Sequence, residues 1–339
     1  MKGLVFTGGE AVEVRDFPDP QAGAGEAVVR VRASGVCGSD LPRYRDEAGS
    51  KGIIPGHEPA GEVVELGPGV PPGLRVGDRV MVHHYAGCGF CEVCALGFEQ
   101  ACPNDRVTYG TGAHGGHAEF IAVPARTLVH LPEELSFEAG AAIACGTGTA
   151  WNGLKKMDIS GRDTVAVFGQ GPVGVSGVVS AKAMGARVIA VDISAERLDF
   201  ARELGADVTI NPIETDVVAA IAEVTGGRGA SASLETSGAE VARQQALEVL
   251  AYFGRCSYIG NGAPSRIDIR GEVIRKVLTI YGSWTFTKAE QIEIARFMVD
   301  NRVDLDALIS TRYPLSEGGR AYREFAGGAI GKPMIVFDA

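Results

Sequence analysis

TVAVFGQGPVG, residues 164–174, decides the fold. An apolar run of strand length leads into Gly169-x-Gly171-x-x-Gly174, and the residues beyond continue as a helix to Met184. A second strand, RVIAVD (187–192), then ends on an acid. G-x-G-x-x-G alone says little in a chain with 47 glycines, where chance matches occur. Its place between strand and helix gives it weight, as does Asp192, 23 residues after Gly169 against an expected ~20. Gly169 permits the tight turn, Gly171 the approach of backbone to a pyrophosphate, and Gly174 close packing of helix on strand. The helix N-terminus offers free N–H groups and the positive end of its dipole to the phosphates. Asp192 would accept hydrogen bonds from the adenosine ribose and repel a 2′-phosphate, which favours NAD over NADP. The loop therefore predicts a dinucleotide site formed by Gly169, Gly171, Pro172, Val173, Gly174, Asp192 and Arg197. The competing account is a strand–turn–helix of purely structural glycines, with Asp192 a strand-end turn residue.

Outward from this loop, strands and helices alternate. A helix is expected near 195–204, then ADVTI, a helix near 216–225, and ASASLETSG. A helix over 240–251 follows, with Ala242, Ala246, Val249, Leu250 and Phe253 on one buried face, and then RCSYIG and VLTIYGS. Such alternation predicts an α/β, doubly wound parallel sheet. Before residue 150 the pattern differs: EAVVRVRASG, PAGEVVELG and GDRVMV are short strands between Gly/Pro turns, which predicts a strand-rich, barrel-like domain. The expected boundaries are 1–150, 151–287 and 288–339. The last stretch holds a helix at 288–302 and an extended MIVFDA that returns to the first domain.

Composition narrows the function. At 339 residues, 45% hydrophobic and 22% charged, the chain is a packed globular protein of about two domains. A net charge of −10 argues against a nucleic-acid partner. Gly, Pro, Gln and Lys interrupt every apolar tract well before about 18 residues, so no membrane span is expected. MKGLVFTGGEAVEV lacks the apolar core and cleavage site of a secretory leader, which predicts a cytoplasmic protein with reduced thiols.

Four of the seven cysteines, Cys88, Cys91, Cys94 and Cys102, fall in the lobe at about 86–104 with spacing C-x2-C-x2-C-x7-C. Four thiolates on one short loop can close a tetrahedral Zn²⁺ shell with no open position, which marks a structural site. A C-x-x-C redox pair leaves the third and fourth cysteines unexplained. An iron–sulfur cluster could also use all four.

Three cysteines remain: Cys37 in GVCGSD, Cys145 in AIACGTGTA and Cys256 in GRCSYIG. His57 and Glu58 stand in IPGHEPAGEVVELG. Zn²⁺ accepts Cys, His and carboxylate ligands, and a catalytic site keeps one position open. Cys37, His57 and Cys145 offer three ligands, but spacing alone does not assemble them. An isolated buried cysteine is usually a small core residue, which suits Cys256. His114, His117 and His130 are expected to be structural or surface groups.

GVCGSD, GHE-x2-G-x2-V-x2-G, the four-cysteine lobe and GQGPVG, in this order, resemble the zinc-dependent medium-chain alcohol dehydrogenases over nearly the whole chain. Threonine and polyol dehydrogenases are nearest in local wording. The resemblance implies a GroES-like catalytic domain plus a Rossmann domain, two zinc ions per chain, NAD, and a homodimer or homotetramer. It implies that Cys37, His57 and Cys145 hold a catalytic zinc and that Glu58 approaches the metal during ligand exchange. It further implies that Ser39 takes the alcohol proton. The expected substrate is a small secondary or polyhydroxy alcohol, converted to its ketone or aldehyde. Polyol and threonine dehydrogenases often carry an acid near position 145, and this chain has none there. Many members carry a histidine five residues after the first catalytic cysteine, and here that residue is Pro42, which carries no proton. His84 in MVHHYAGC lies where the family places a pocket-lining side chain; a ring titrating near neutrality would suit a polar substrate. The alternatives are a zinc-independent quinone-type reductase and a non-catalytic NAD- or redox-sensing protein on the same fold.

Overall fold

The computed structural model describes residues 1–262 and 264–338. It divides into two compact units, one of residues 1–148 and 286–339, the other of 149–285.

The first unit is built on a seven-stranded sheet. Its order is Ile309–Pro314, Lys332–Val336, Glu26–Gly35, Pro59–Leu66, Arg79–Val82 and Leu128–His130, with Phe120–Pro124 also paired to Glu26–Gly35. Period-2 alternation in EAVVRVRASG turns Ala27, Val29 and Val31 inward against Val63, Val80, Ile121 and Val123. The C-terminal strand Lys332–Val336 pairs antiparallel with Glu26–Gly35, so residues from both ends of the chain share one sheet. A second cluster joins Leu4, Phe6, Tyr44, Tyr313, Tyr322 and Ile335. Within the lobe, one helical turn spans Glu92–Ala95. Phe90, Leu96 and Phe98 are exposed there, so apolar burial contributes little to holding the lobe together.

The second unit is a six-stranded, all-parallel sheet. Its order is Val208–Ile210, Arg187–Val191, Thr164–Phe168, Ala230–Glu235, Leu250–Tyr258 and Thr279–Gly282. The all-parallel sheet is the one the alternation of strands and helices predicted, and its order is that of a doubly wound Rossmann fold, as the resemblance implied. Both faces are covered. Val165, Val167, Val188 and Ala190 face one apolar cluster, and Ala166, Phe168, Ile189 and Val191 the other.

The helix expected over 240–251 is shorter, Glu240–Glu248, and Leu250–Tyr258 is a strand. Phe253 accordingly leaves the buried face: it is 73% exposed, at φ +62°. Parallel pairing with Ala230–Glu235 captures the segment that helical spacing alone had claimed. The helix Lys288–Asp300 starts at a capping box in which Thr287 and Glu290 bond each other's backbone N–H. Among the described residues no helix is long and apolar enough to cross a membrane.

Candidate active and metal sites

Three separate stretches of the first unit deliver the first cluster. Cys37 follows the strand Glu26–Gly35 and precedes the short turn Gly38–Asp40. His57 and Glu58 immediately precede the strand Pro59–Leu66. Cys145 sits in Ile143–Thr147, a π-helical turn between Phe137–Ala142 and Gly148–Lys156. Such widened turns often mark functional positions. Their ligand atoms, from Cys37, His57, Glu58 and Cys145, lie within 4.8 Å of one another.

The donor set suits a borderline-soft divalent cation. His57 Nδ1 lies 3.1 Å from Asp40 Oδ1, which fixes the ring and turns Nε2 toward the cluster. Ser39 Oγ stands 3.4 Å from both Cys37 Sγ and His57 Nε2. Beside them Glu58, fully buried, pairs with Lys332, whose ammonium also donates to the Val36 carbonyl at 3.1 Å. Burial pushes Glu58 up to about 7, with Lys332 opposing. A hydrogen bond from Cys145 holds the Cys37 thiol well below its usual range, aided by His57 against the cost of burial. Burial disfavours a charged His57, but Asp40 and the Cys37 sulfur outweigh it and raise that ring well above its usual value.

His84 packs edge-on to His57, with ring centroids 4.9 Å apart, and its Nδ1 has no partner among the described residues. It is buried, and burial above all, with the His57 charge adding to it, pushes it well below its usual value. The expectation that this ring titrates near neutrality is therefore corrected: it is a neutral ring. Pro42 lies in the turn Leu41–Arg45.

The four lobe sulfurs also converge within 4.8 Å. Cys88 and Cys94 are 4.0 Å apart, and Cys91 and Cys102 3.9 Å. Four sulfurs at about 2.3 Å from a central Zn²⁺ form a tetrahedron with edges of about 3.8 Å, whereas a disulfide needs about 2.05 Å. Backbone N–H groups of Cys88 and Cys94 donate to Cys102 and Cys91 sulfurs at 3.4 Å each, favouring thiolates.

In the second unit Gly169 adopts φ +85°, and a Cβ at Gly174 would overlap the Gly169 carbonyl oxygen. Pro172 opens the helix Pro172–Ala183, leaving Val173 and Gly174 in its first turn, where N–H groups have no intrahelical acceptor. Nothing would meet a Cβ at Gly171, so space lies open above the turn. Asp192 is buried; its Oδ2 accepts from Gln170 N at 2.6 Å and its Oδ1 from Ser194 N at 2.9 Å. Arg197 follows on the helix Ala195–Glu203, its backbone N–H donating to Ser194 Oγ.

Other expectations concern bystanders. Cys256 is a fully buried core residue whose thiol burial pushes up to about 12. His130 is exposed, and His114 accepts from Ile54 N. The sequence reading missed Asp40, Lys332 and Tyr322, whose hydroxyl donates to Asp40 Oδ2 at 3.0 Å. For Asp40 the signal was present, an acid three residues after Cys37 in CGSD.

Comparison with known proteins places these features in context. Residues 23–133 match the family model "Alcohol dehydrogenase GroES-like domain", and 172–300 match "Zinc-binding dehydrogenase". The chain is 36% identical to an uncharacterized zinc-type alcohol dehydrogenase-like protein, YphC, of Escherichia coli (strain K12), covering 99% of each. It is also 36% identical to an L-threonine 3-dehydrogenase of Pyrococcus horikoshii, over 97% of this chain and 95% of the relative. Among solved structures, the alcohol dehydrogenase of Thermus sp. ATN1 superposes with a TM-score of 0.90 at 29% identity, covering 99% of both chains.

Proposed function

This chain belongs to the zinc-type, medium-chain alcohol dehydrogenase family, and on that premise we propose that it oxidises a small secondary or polyhydroxy alcohol with NAD⁺, reversibly. The observation that carries the proposal is the convergence of Cys37, His57, Glu58 and Cys145 within 4.8 Å, with the Ser39 hydroxyl at 3.4 Å. Cys37, His57 and Cys145 hold a catalytic Zn²⁺, and Glu58, paired with Lys332, stands by for ligand exchange. Bound there, the ion supplies Lewis acidity toward the alcohol oxygen. NAD⁺ supplies the hydride acceptor.

The chain's own residues bind, orient and move a proton. The Ser39 hydroxyl is placed to take the proton of the substrate hydroxyl; with NAD⁺ bound as acceptor, loss of hydride from the carbinol carbon would give ketone or aldehyde, NADH and H⁺. With Pro42 in place of a relay histidine, Ser39 would have to release its proton to the ribose of a bound cofactor or to water. His84, buried beside His57, lines the substrate position as a neutral polar ring. The N–H groups of Gly171, Val173 and Gly174 hold the pyrophosphate, Asp192 and Arg197 the adenosine end. The four-cysteine lobe holds the second, structural Zn²⁺.

Reduced thiols at both clusters favour a cytoplasmic setting. The edge strand Thr279–Gly282, flanked by exposed Ile274, Val277 and Trp284, favours a homodimer or homotetramer. A panel of secondary alcohols, polyols and amino alcohols, threonine included, assayed with NAD⁺ on zinc-analysed protein tests the reading. Protein carrying two zinc ions that forms no NADH with any of them would turn the assignment toward a non-catalytic sensor.

A further inference from the structure

Beyond the ligands and Asp40, a line of buried polar groups continues into the first unit. Tyr322 Oη donates to Asp40 Oδ2 at 3.0 Å, and His117 Nε2 lies 2.9 Å from the same Tyr322 oxygen. Both residues are fully buried. A phenol has one proton to give, and Tyr322 gives it to the carboxylate; toward His117 it can only accept. His117 therefore carries its proton on Nε2, and its Nδ1, with no partner among the described residues, is the lone-pair side. Donors thus point one way from His117 through Tyr322 to Asp40, and His57 Nδ1 meets Asp40 from the other side.

The far end is tied to the loop that carries His57. His117 N donates to Pro55 O at 3.0 Å. A Cβ at Gly56 (φ +89°) would stand 2.5 Å from His117 Nδ1, so the glycine of GHE makes room for this ring. Tyr322 is held by edge-on packing on Phe6, at 4.8 Å and 83°, and by Tyr44.

We propose that Tyr322 and His117 are positioning residues of the catalytic metal centre, aligning the Asp40 carboxylate and through it the ligand face of His57. The proposal rests on the reading of Cys37, His57 and Cys145 as zinc ligands. Groups that orient a ligating histidine typically change metal retention by about 10–100-fold, and one bond further out the effect should be about 3–10-fold. It matters that Tyr322 belongs to the helix Gly318–Ala326, far along the chain from the metal loops.

Tyr322→Phe removes one oxygen and keeps the ring packing. Zinc release from the holoprotein to excess chromogenic chelator is followed, with the four-cysteine zinc as an internal reference. The expected result is about 3–10-fold faster release from the Cys37 site, an unchanged lobe phase, and a shifted visible spectrum in cobalt-substituted protein. His117→Gln, which keeps an N–H donor, should stay near the parent, and His117→Leu should follow Tyr322→Phe; this pair decides the matter should Tyr322→Phe not fold. Parental release and spectrum in Tyr322→Phe and His117→Leu, or equal acceleration of both phases, would overturn the proposal. A parent protein with no metal at the Cys37 site would instead overturn the zinc reading itself.

Discussion

Replacing Asp192 by serine tests whether this carboxylate selects the cofactor or merely braces the glycine loop. The structure gives it a bracing role: one oxygen accepts from Gln170 N, the other from Ser194 N. Each carboxylate oxygen has two lone pairs, so each keeps an acceptor direction for a ribose hydroxyl. Losing a charge-assisted hydrogen bond costs NAD⁺ about 1.5–3 kcal/mol, or roughly 10–150-fold in affinity. For NADP⁺ the lost repulsion counts in the opposite direction: two unit charges about 5 Å apart at an effective dielectric of about 20 repel by about 3 kcal/mol. Together these effects, about 4.5–6 kcal/mol, should lower the NAD⁺/NADP⁺ ratio of kcat/KM by roughly 10³–10⁴-fold. Bracing alone would weaken both cofactors alike and leave the ratio fixed. The assay is kcat/KM with each cofactor at one fixed alcohol, beside a melting curve to register loss of the Gln170 and Ser194 bonds. A parent that uses both cofactors equally, or an unchanged ratio in Asp192→Ser, refutes the selection argument.

Gently purified protein should contain about two zinc ions per chain by metal analysis, and the double variant Cys37→Ala/Cys145→Ala about one. His84→Ala should lower kcat/KM more for polar alcohols than for simple ones, by about 10-fold for one lost hydrogen bond. Because burial keeps the ring neutral, the midpoint of the pH–rate profile should stay in place. His117, which burial depresses to about 4, stays neutral in the folded protein but takes a proton when unfolded below its ordinary 6.5. Its contribution to stability is therefore complete above that value and falls as pH drops toward 4, by roughly 2 kcal/mol at pH 5. Urea unfolding at pH 7.5 and pH 5 should show a smaller loss in His117→Gln than in the parent.

The glycine loop and the four-cysteine lobe were legible because each is local. A strand, a turn at φ +85° and a helix follow one another within 20 residues, and four sulfurs span fifteen. Cys37, His57 and Cys145 were legible only as motifs, since a sheet joining distant strands and a separate helical turn bring them together. Phe253 was misplaced because helical spacing continued past Glu248, where pairing with Ala230–Glu235 takes over. Such competition between local period and sheet pairing is decided by tertiary contacts, not by the segment. Asp40 announced itself three residues from Cys37, but its partner Tyr322 lies 282 residues away and carries no motif. Lys332 had the faint signal of a charged residue opening the extended run PMIV.

Two of the missed residues, Tyr322 and Lys332, share a location, and it helps explain why the closing segment belongs to the first unit. Lys332 reaches Glu58 and the Val36 carbonyl, and Tyr322 reaches Asp40. Phe286 O lies 3.1 Å from His83 Nε2, one residue from His84. The chain thus supplies the ligand atoms and Asp40 early, and further groups that hold them late. Each late group meets a buried charged or polar side chain that would be costly to leave alone: a buried carboxylate without its partner is disfavoured by several kcal/mol. The return of 286–338 is therefore tied to the site's electrostatics as well as to the sheet edge it completes. Lys332→Met makes the point: it keeps the length of the side chain for packing in the strand Lys332–Val336 but leaves Glu58 without its cation. Burial, then opposed only by the weaker pull of His57, should carry the Glu58 carboxyl further above about 7 and favour its protonated form at neutral pH, unable to approach a cation as a carboxylate.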